Sequence, residues 1–264
     1  MRRIKKLKTL VYALMGTTLI SACSSDADDV ISEAGKGYVS LSVQADAGFQ
    51  TTRAASEDYE DVNNYTVQIL QGDKIVGDSC EWEYSKLPDE IELPNGTYTF
   101  KAFYGKDNAV NTENPYVEGV VEQTINSNDQ NVVISCSTTD AKVTVAFDEK
   151  MDESFDKYTV SFQTEALNDG EQVWTKDDGD KTVYLKVNEN EKVKVVFSLT
   201  PKDANEDFTY TQTVTLSPGD FKEYTVAPKD GATEDGDGSL KISISFTDKT
   251  NDITIPIKIP SDWK

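Results

Sequence analysis

The sequence predicts an all-β protein built as two tandem antiparallel β-sandwich domains. Three observations carry that expectation. Apolar and polar residues alternate at period two along most of residues 38–259, which is the pattern of half-buried strands. Turn formers punctuate that alternation at "LPNG" (93–96), "NDG" (168–170) and "SPGD" (217–220), where Asn, Pro and Gly supply the φ angles of tight turns. The order of features also repeats loosely between the two halves of the chain. Many short strands with regular turns fold as sandwiches or barrels.

The chain opens with a segment outside that pattern. "MRRIKKLK" carries Arg2, Arg3, Lys5, Lys6 and Lys8 and no acid, and the apolar run "TLVYALMGTTLI" follows over residues 9–20. Ser21 and Ala22 then give a small-residue exit. A charged start, a short apolar run and small residues make a secretory signal. The run is shorter than the roughly 20 residues that a bilayer span needs, which speaks against an anchor helix that is never removed. Leu19-Ile20-Ser21-Ala22-Cys23 resembles the lipobox of bacterial lipoproteins. The resemblance implies cleavage before Cys23, so that residues 1–22 are a lipoprotein signal peptide, and palmitate-type acyl chains on the new terminus. Several chains together hold a protein on a membrane durably. The partner this implies is the outer membrane, reached through the lipid anchor.

Residues 23–36, "CSSDADDVISEAGK", have no apolar period and are rich in Ser and Asp. They read as a solvated acidic tether. An acidic patch directly after the lipidated cysteine also resembles the export signal of Bacteroidetes-type surface lipoproteins, which implies display on the cell exterior. The alternative is a plain linker in a periplasmic lipoprotein.

An N-terminal sandwich is expected over 37–138. "YVSLSV" sets Val39, Leu41 and Val43 on one side. "YTVQI" does the same with Tyr65, Val67 and Ile69, and "TYTFKAFY" with Tyr98, Phe100, Ala102 and Tyr104. "NVVISC" puts Cys136 in line with Val132 and Ile134. A C-terminal sandwich is expected over 139–264. Its strands carry Val143, Val145 and Phe147; Tyr158, Val160 and Phe162; Val183, Leu185 and Val187; and Val193 to Leu199. Its last two carry Leu240 to Phe246 and Ile253, Ile255, Ile257 and Ile259. Pro256 removes a ladder donor, so the final strand belongs at an edge. It packs on its own domain or is lent to a neighbouring subunit. "MDESFDKY" is good for one helical turn at most.

The repeat runs as follows. A strand over 38–46 precedes "NNYTVQI", and one over 141–147 precedes "DKYTVSF". Each is followed by a polar stretch bearing Trp82 or Trp174, then by a strong strand over 97–104 or 193–199, then by a closing pair of strands. The link "STTD" (137–140) is short, which sets the two domains in a stiff row.

"LPNGTYTFKAFYG", "NPYVEGVVEQTI" and "VVISCSTTDAKVTVAF" together resemble an uncharacterised domain family of Bacteroidetes surface lipoproteins. That family is similar in outline to the fimbrillin-like adhesins and pilins. The resemblance covers about residues 37–147 well and the remainder loosely. It implies transthyretin-like β-sandwiches, surface display, adhesion, and no catalysis.

Composition narrows the chemistry. The chain has 264 residues and a formal net charge of −21, and loss of residues 1–22 takes this to −26 by removing five bases. Such a body repels phosphate backbones, so no nucleic-acid partner is expected. Histidine is absent, which excludes Ser-His-Asp and Cys-His catalysis and the usual zinc sites. No catalytic residue, cofactor or metal ligand is assigned. "KDDGD" (176–180) and "EDGDG" (234–238) match no EF-hand spacing. Among 47 acids, any carboxylate pair is uninformative.

Three candidate sites remain. Cys80 and Cys136 are an even pair in an oxidising compartment; they form one disulfide or serve as two buried apolar thiols. Arg53, the only arginine after the signal, is a candidate protease cleavage site. In fimbrillins, cutting after an arginine beyond the first strand frees a groove for the next subunit's strand, a form of β-augmentation; otherwise Arg53 is a solvated side chain. Trp82 and Tyr84 of "EWEY", with Trp174, are candidate ligand aromatics that stack a sugar ring if exposed and belong to the core if buried. The function expected first is a non-enzymatic outer-membrane surface lipoprotein that displays its sandwiches for adhesion or assembly, with a host or bacterial surface protein or glycan as partner. Two alternatives stand beside it: a carbohydrate-binding lipoprotein of a glycan uptake system, and a fimbrial subunit that forms a strand-exchange oligomer.

Overall fold

A computed structural model describes residues 35–49, 58–77, 80–202 and 207–228, and the backbone of strands at 241–248 and 251–258. The fold is all-β. In the first half the strands are β1 (Lys36–Ala45), β2 (Thr66–Gln71), β3 (Lys74–Ile75), β4 (Glu81–Glu83), β5 (Ile91–Pro94), β6 (Gly96–Tyr104), β7 (Val110–Asn111), β8 (Val117–Ile125) and β9 (Gln130–Thr138). In the second half they are β10 (Asp140–Phe147), β11 (Phe155–Gln163), β12 (Gln172–Thr175), β13 (Thr182–Lys186), β14 (Glu191–Pro201), β15 (Phe208–Leu216), β16 (Phe221–Pro228), β17 (Lys241–Asp248) and β18 (Asn251–Lys258). "MDESFDKY" supplies one helical turn, Met151–Ser154, before β11 begins.

One arrangement of strands occurs twice. In the first half β5, β1 and β9 lie side by side, with β1–β5 antiparallel and β1–β9 parallel. In the second half β13, β10 and β16 do the same, with β10–β13 antiparallel and β10–β16 parallel. The facing layer is β4-β2-β6-β8 in one half and β12-β11-β14-β15 in the other, antiparallel throughout. The loose internal similarity of the sequence is thus a shared order of strand pairing. The parallel pairs depart from a purely antiparallel expectation. They are non-local, and alternation along a strand fixes its two faces but not its partner.

Alternation places the cores. Val39, Tyr65, Val67, Ile69, Leu93, Phe100, Ala102 and Ile134 are fully buried in the first cluster. Val143, Val145, Val160, Phe162, Val193, Val195 and Phe197 are fully buried in the second. Turn chemistry also acts where expected: Asn168 sits at φ 56° and Gly219 at φ 83°, the left-handed region that Asn and Gly tolerate.

The link between halves is shorter than the sequence suggests. β9 ends at Thr138 and β10 begins at Asp140, so Thr139 alone separates them. The second half's central sheet runs β18-β17-β16-β10-β13-β7 and therefore includes a strand from the first half. The final strand, β18, is an edge strand paired to its own neighbour β17, with Pro256 opposite Ser243.

Candidate functional site

The candidate aromatics separate into two environments. Trp82 lies on β4, a short strand on the rim of its sheet, opposite the fully buried Val67 of β2. Tyr84 opens the single turn after β4, and its N–H donates to the Tyr65 carbonyl at 2.8 Å. Both side chains are half-buried against the first core and leave part of their surface to solvent. Trp174 is different. It is fully buried, its Nε1–H donates to the Lys181 carbonyl at 2.9 Å, and its ring meets Phe162 edge-on at 5.2 Å. An indole with its polar atom satisfied inside a core has no face for a ligand. Trp174 is therefore a core residue and not a ligand aromatic.

The proposed Cys80–Cys136 bridge is absent. Cys136 is a free thiol, buried on β9 with its Sγ 3.7 Å from the Ala102 carbonyl oxygen of β6. Space for it comes from Gly119, where an added Cβ would lie 2.9 Å from the sulfur and 2.4 Å from the Ser135 carbonyl oxygen. Cys136 faces that glycine and β6, so its sulfur is directed into packing. Burial, then the negative charge of Glu118, pushes its pKa up to about 11, which keeps it a thiol and suppresses its reactivity. Cys80 is also fully buried, and its carbonyl accepts from the Ile69 N–H at 3.0 Å.

Arg53 and Cys23 lie outside the described residues. The strand preceding Arg53 is nonetheless informative: β1 is hydrogen-bonded on both sides, to β5 and to β9. In "KDDGD", Asp178 accepts from the Thr175 N–H at 2.7 Å and its hydroxyl at 2.8 Å, with Lys181 at 3.3 Å. Those bonds, the backbone one foremost, hold its pKa below the usual carboxylate range. The acid serves the turn. "EDGDG" lies outside the described residues. Among the described residues no group of three or more His, Cys, Asp or Glu is placed to hold a metal ion.

The most elaborate polar arrangement among the described residues lies at the link over 137–140. Asp140 is fully buried where the two halves meet. Its Oδ2 accepts from the Tyr116 N–H at 2.8 Å and from Asn111 Nδ2 at 3.4 Å, and its Oδ1 from the Thr139 hydroxyl at 3.2 Å. Its carbonyl accepts from the Gly219 N–H at 2.9 Å. Burial drives its pKa up, opposed by the Tyr116, Asn111 and Thr139 hydrogen bonds and by the charge of Lys186.

Around Asp140 the halves exchange side chains. β7 crosses to pair with β13, Val110 packs on the second core, and Lys186 Nζ meets Asp107 at 2.5 Å. In return Tyr184 of β13 packs into the first core, 5.7 Å from the Phe49 ring. β13 is thus buried on both faces. Gly48 and Gly219 let two loops approach there: a Cβ on Gly219 would stand 3.2 Å from the Ala47 carbonyl oxygen. No periodicity in the sequence marks this joint, because its members come from five separate segments.

Residues 35–261 match the sequence profile of the family described as Domain of unknown function (DUF4493). No curated protein matches the chain. Among solved structures, it is similar to a "putative adhesin" from Bacteroides ovatus at 11% identity and TM-score 0.44, over 89% of this chain and 98% of that one. It is similar to "putative polysaccharide binding proteins (DUF1812)" from Bacteroides thetaiotaomicron at 11% identity and TM-score 0.41, over 87% of this chain and 100% of that one. It is also similar to a fimbrial assembly protein from Parabacteroides distasonis at 12% identity and TM-score 0.37, over 84% of this chain and 98% of that one.

Proposed function

Because the chain belongs to the DUF4493 family, we propose a role without catalysis: a lipid-anchored protein of the outer membrane that displays two joined β-sandwiches for adhesion or surface assembly. The observation that carries this reading is the order of segments at the N terminus. A basic start, a twelve-residue apolar run, Leu19 to Cys23 and an acidic stretch follow one another without a gap. That order suits cleavage before Cys23, acylation there, and a tether that holds the body off the lipid surface. The joint at Asp140 supports it further, since a body joined through one crossing strand and exchanged side chains transmits contact made at its far end. The high negative charge keeps the displayed surface soluble.

The test is labelled palmitate with intact cells. The reading requires label in the wild type, loss of label in Cys23→Ala, and binding of added antibody to unbroken cells. Label without antibody binding would place the protein on the inner side of the membrane and refute display.

A second reading has one observation in its favour. Trp82 and Tyr84 remain half-exposed on the rim strand and turn, where a sugar ring can stack on an aromatic face. Binding on a glycan array that disappears in Trp82→Ala would establish it.

A further inference from the structure

The two halves differ at one edge. In the first half, β8 turns back onto β9, pairing at Val117–Thr138 and Glu118–Ser137. Its counterpart β15 ends its four-stranded sheet, and among the described residues it pairs with β14 alone. β15 is nine residues long and reads FTYTQTVTL, with no charge and no proline. Proteins guard sheet edges with short strands, charges or proline, and the other edges here obey. β12 has four residues and β7 two, β4 carries Glu81 and Glu83, and β18 carries Asp252, Pro256 and Lys258.

Two further features point outward from the same strand. The inner residues of β14, Val193, Val195, Phe197 and Leu199, are sealed at 1% exposure or less. Phe208, Tyr210 and Val214 of β15 pack on the same core only in part, so the apolar layer is left half-open at its margin. Between them stands Gln212, whose Nε2 is shut away from solvent with no hydrogen-bond partner. A buried unpaired amide donor is costly.

We propose that β15 is a homotypic docking edge, at which two copies of this chain pair antiparallel about a two-fold axis through Gln212. The occupant follows from charge. A body with 47 acids against 26 bases repels its own copy almost everywhere, and an uncharged nine-residue strand is where that repulsion is weakest. The two-fold register brings the Gln212 amides of both copies to cross-strand distance. It sets Tyr210 opposite the second copy's Val214, and Thr211 opposite its Thr213; aromatic–β-branched and Thr–Thr pairs are favourable. The sheets then join into one of eight strands, with no strand leaving its own domain.

Thr211 and Thr213 are both exposed and outward-facing, so charged substitutions there leave the monomer's core untouched. The test is sedimentation of the full mature chain in detergent. The wild type sediments as a dimer. Thr211→Lys with Thr213→Lys sets like charges opposite each other and raises the dimer dissociation constant about tenfold or more. Thr211→Glu with Thr213→Glu does the same, and mixing the two variants restores a heterodimer. A wild type that stays monomeric, a dimer indifferent to either pair, or variants that mixing fails to rescue would overturn the proposal.

Discussion

The N–H of Tyr116 and the carboxylate of Asp140 meet at 2.8 Å inside the protein, one on each side of the junction between its halves. A backbone donor from the first half is thereby satisfied by the first residue of the second half's opening strand. Removing the carboxylate strands that donor and takes one acceptor from Asn111, which keeps its bond to the Lys106 carbonyl. Asp140→Ala is expected to cost about 1–3 kcal/mol, read by urea denaturation. It should also loosen β7 before either core, as faster amide exchange at Val110 and Asn111.

The same group sets a pH dependence of unusual sign. Its folded pKa is raised, chiefly by burial, so the folded state holds the proton more tightly than the unfolded chain does. Its contribution therefore improves as pH falls from the raised folded value toward the ordinary carboxylate value, and is flat outside that window. The stability of the wild type relative to Asp140→Asn should rise on acidification through that window. A difference that falls instead would mean the hydrogen bonds outweigh desolvation.

Asp178 behaves in the opposite way. Bonds from Thr175 depress its pKa, so its contribution is present above the ordinary value and lost as pH falls through the folded one. Asp178→Ala is expected to cost about 1 kcal/mol at neutral pH and nothing once the carboxyl is protonated, measured by thermal unfolding across pH.

Cys136 and Gly119 form a tight pair. With its pKa at about 11 and its sulfur buried, Cys136 should resist a thiol reagent in the folded protein and react on unfolding. Gly119→Ala drives a methyl into the Ser135 carbonyl and is expected to cost about 1–3 kcal/mol.

The aromatics give a contrast within one experiment. Trp174→Ala empties a sealed site and should cost about 3–5 kcal/mol. Trp82→Ala removes a half-buried ring and should cost about 1 kcal/mol. Only the second can change ligand binding in a protein that is still folded.

Much of the strand set was legible in the alternation of Val39, Val43, Tyr65, Val67, Phe100 and Ile134, each of which faces a core as its spacing requires. The single turn at Met151–Ser154 and the edge position of the Pro256 strand were legible for the same local reasons. What alternation does not encode is the partner. The parallel pairing of β1 with β9 and the crossing of β7 to β13 join residues far apart in sequence. Val183 and Leu185 face the second core, and the intervening Tyr184 on the opposite face of β13 is buried as well, because the first core lies behind it. Trp174 and Trp82 occupy similar places in the repeat, yet one is sealed and one half-open. Asp140 gave no signal, since its burial depends on five segments converging.

The account turns on Cys23, and the most direct measurement is the intact mass of the mature protein taken from its own membrane. It should begin at Cys23, carry the mass of acyl chains on that residue, and lose both features in Cys23→Ala. A chain that retains residues 1–22, or whose Cys23 is unacylated, would contradict it.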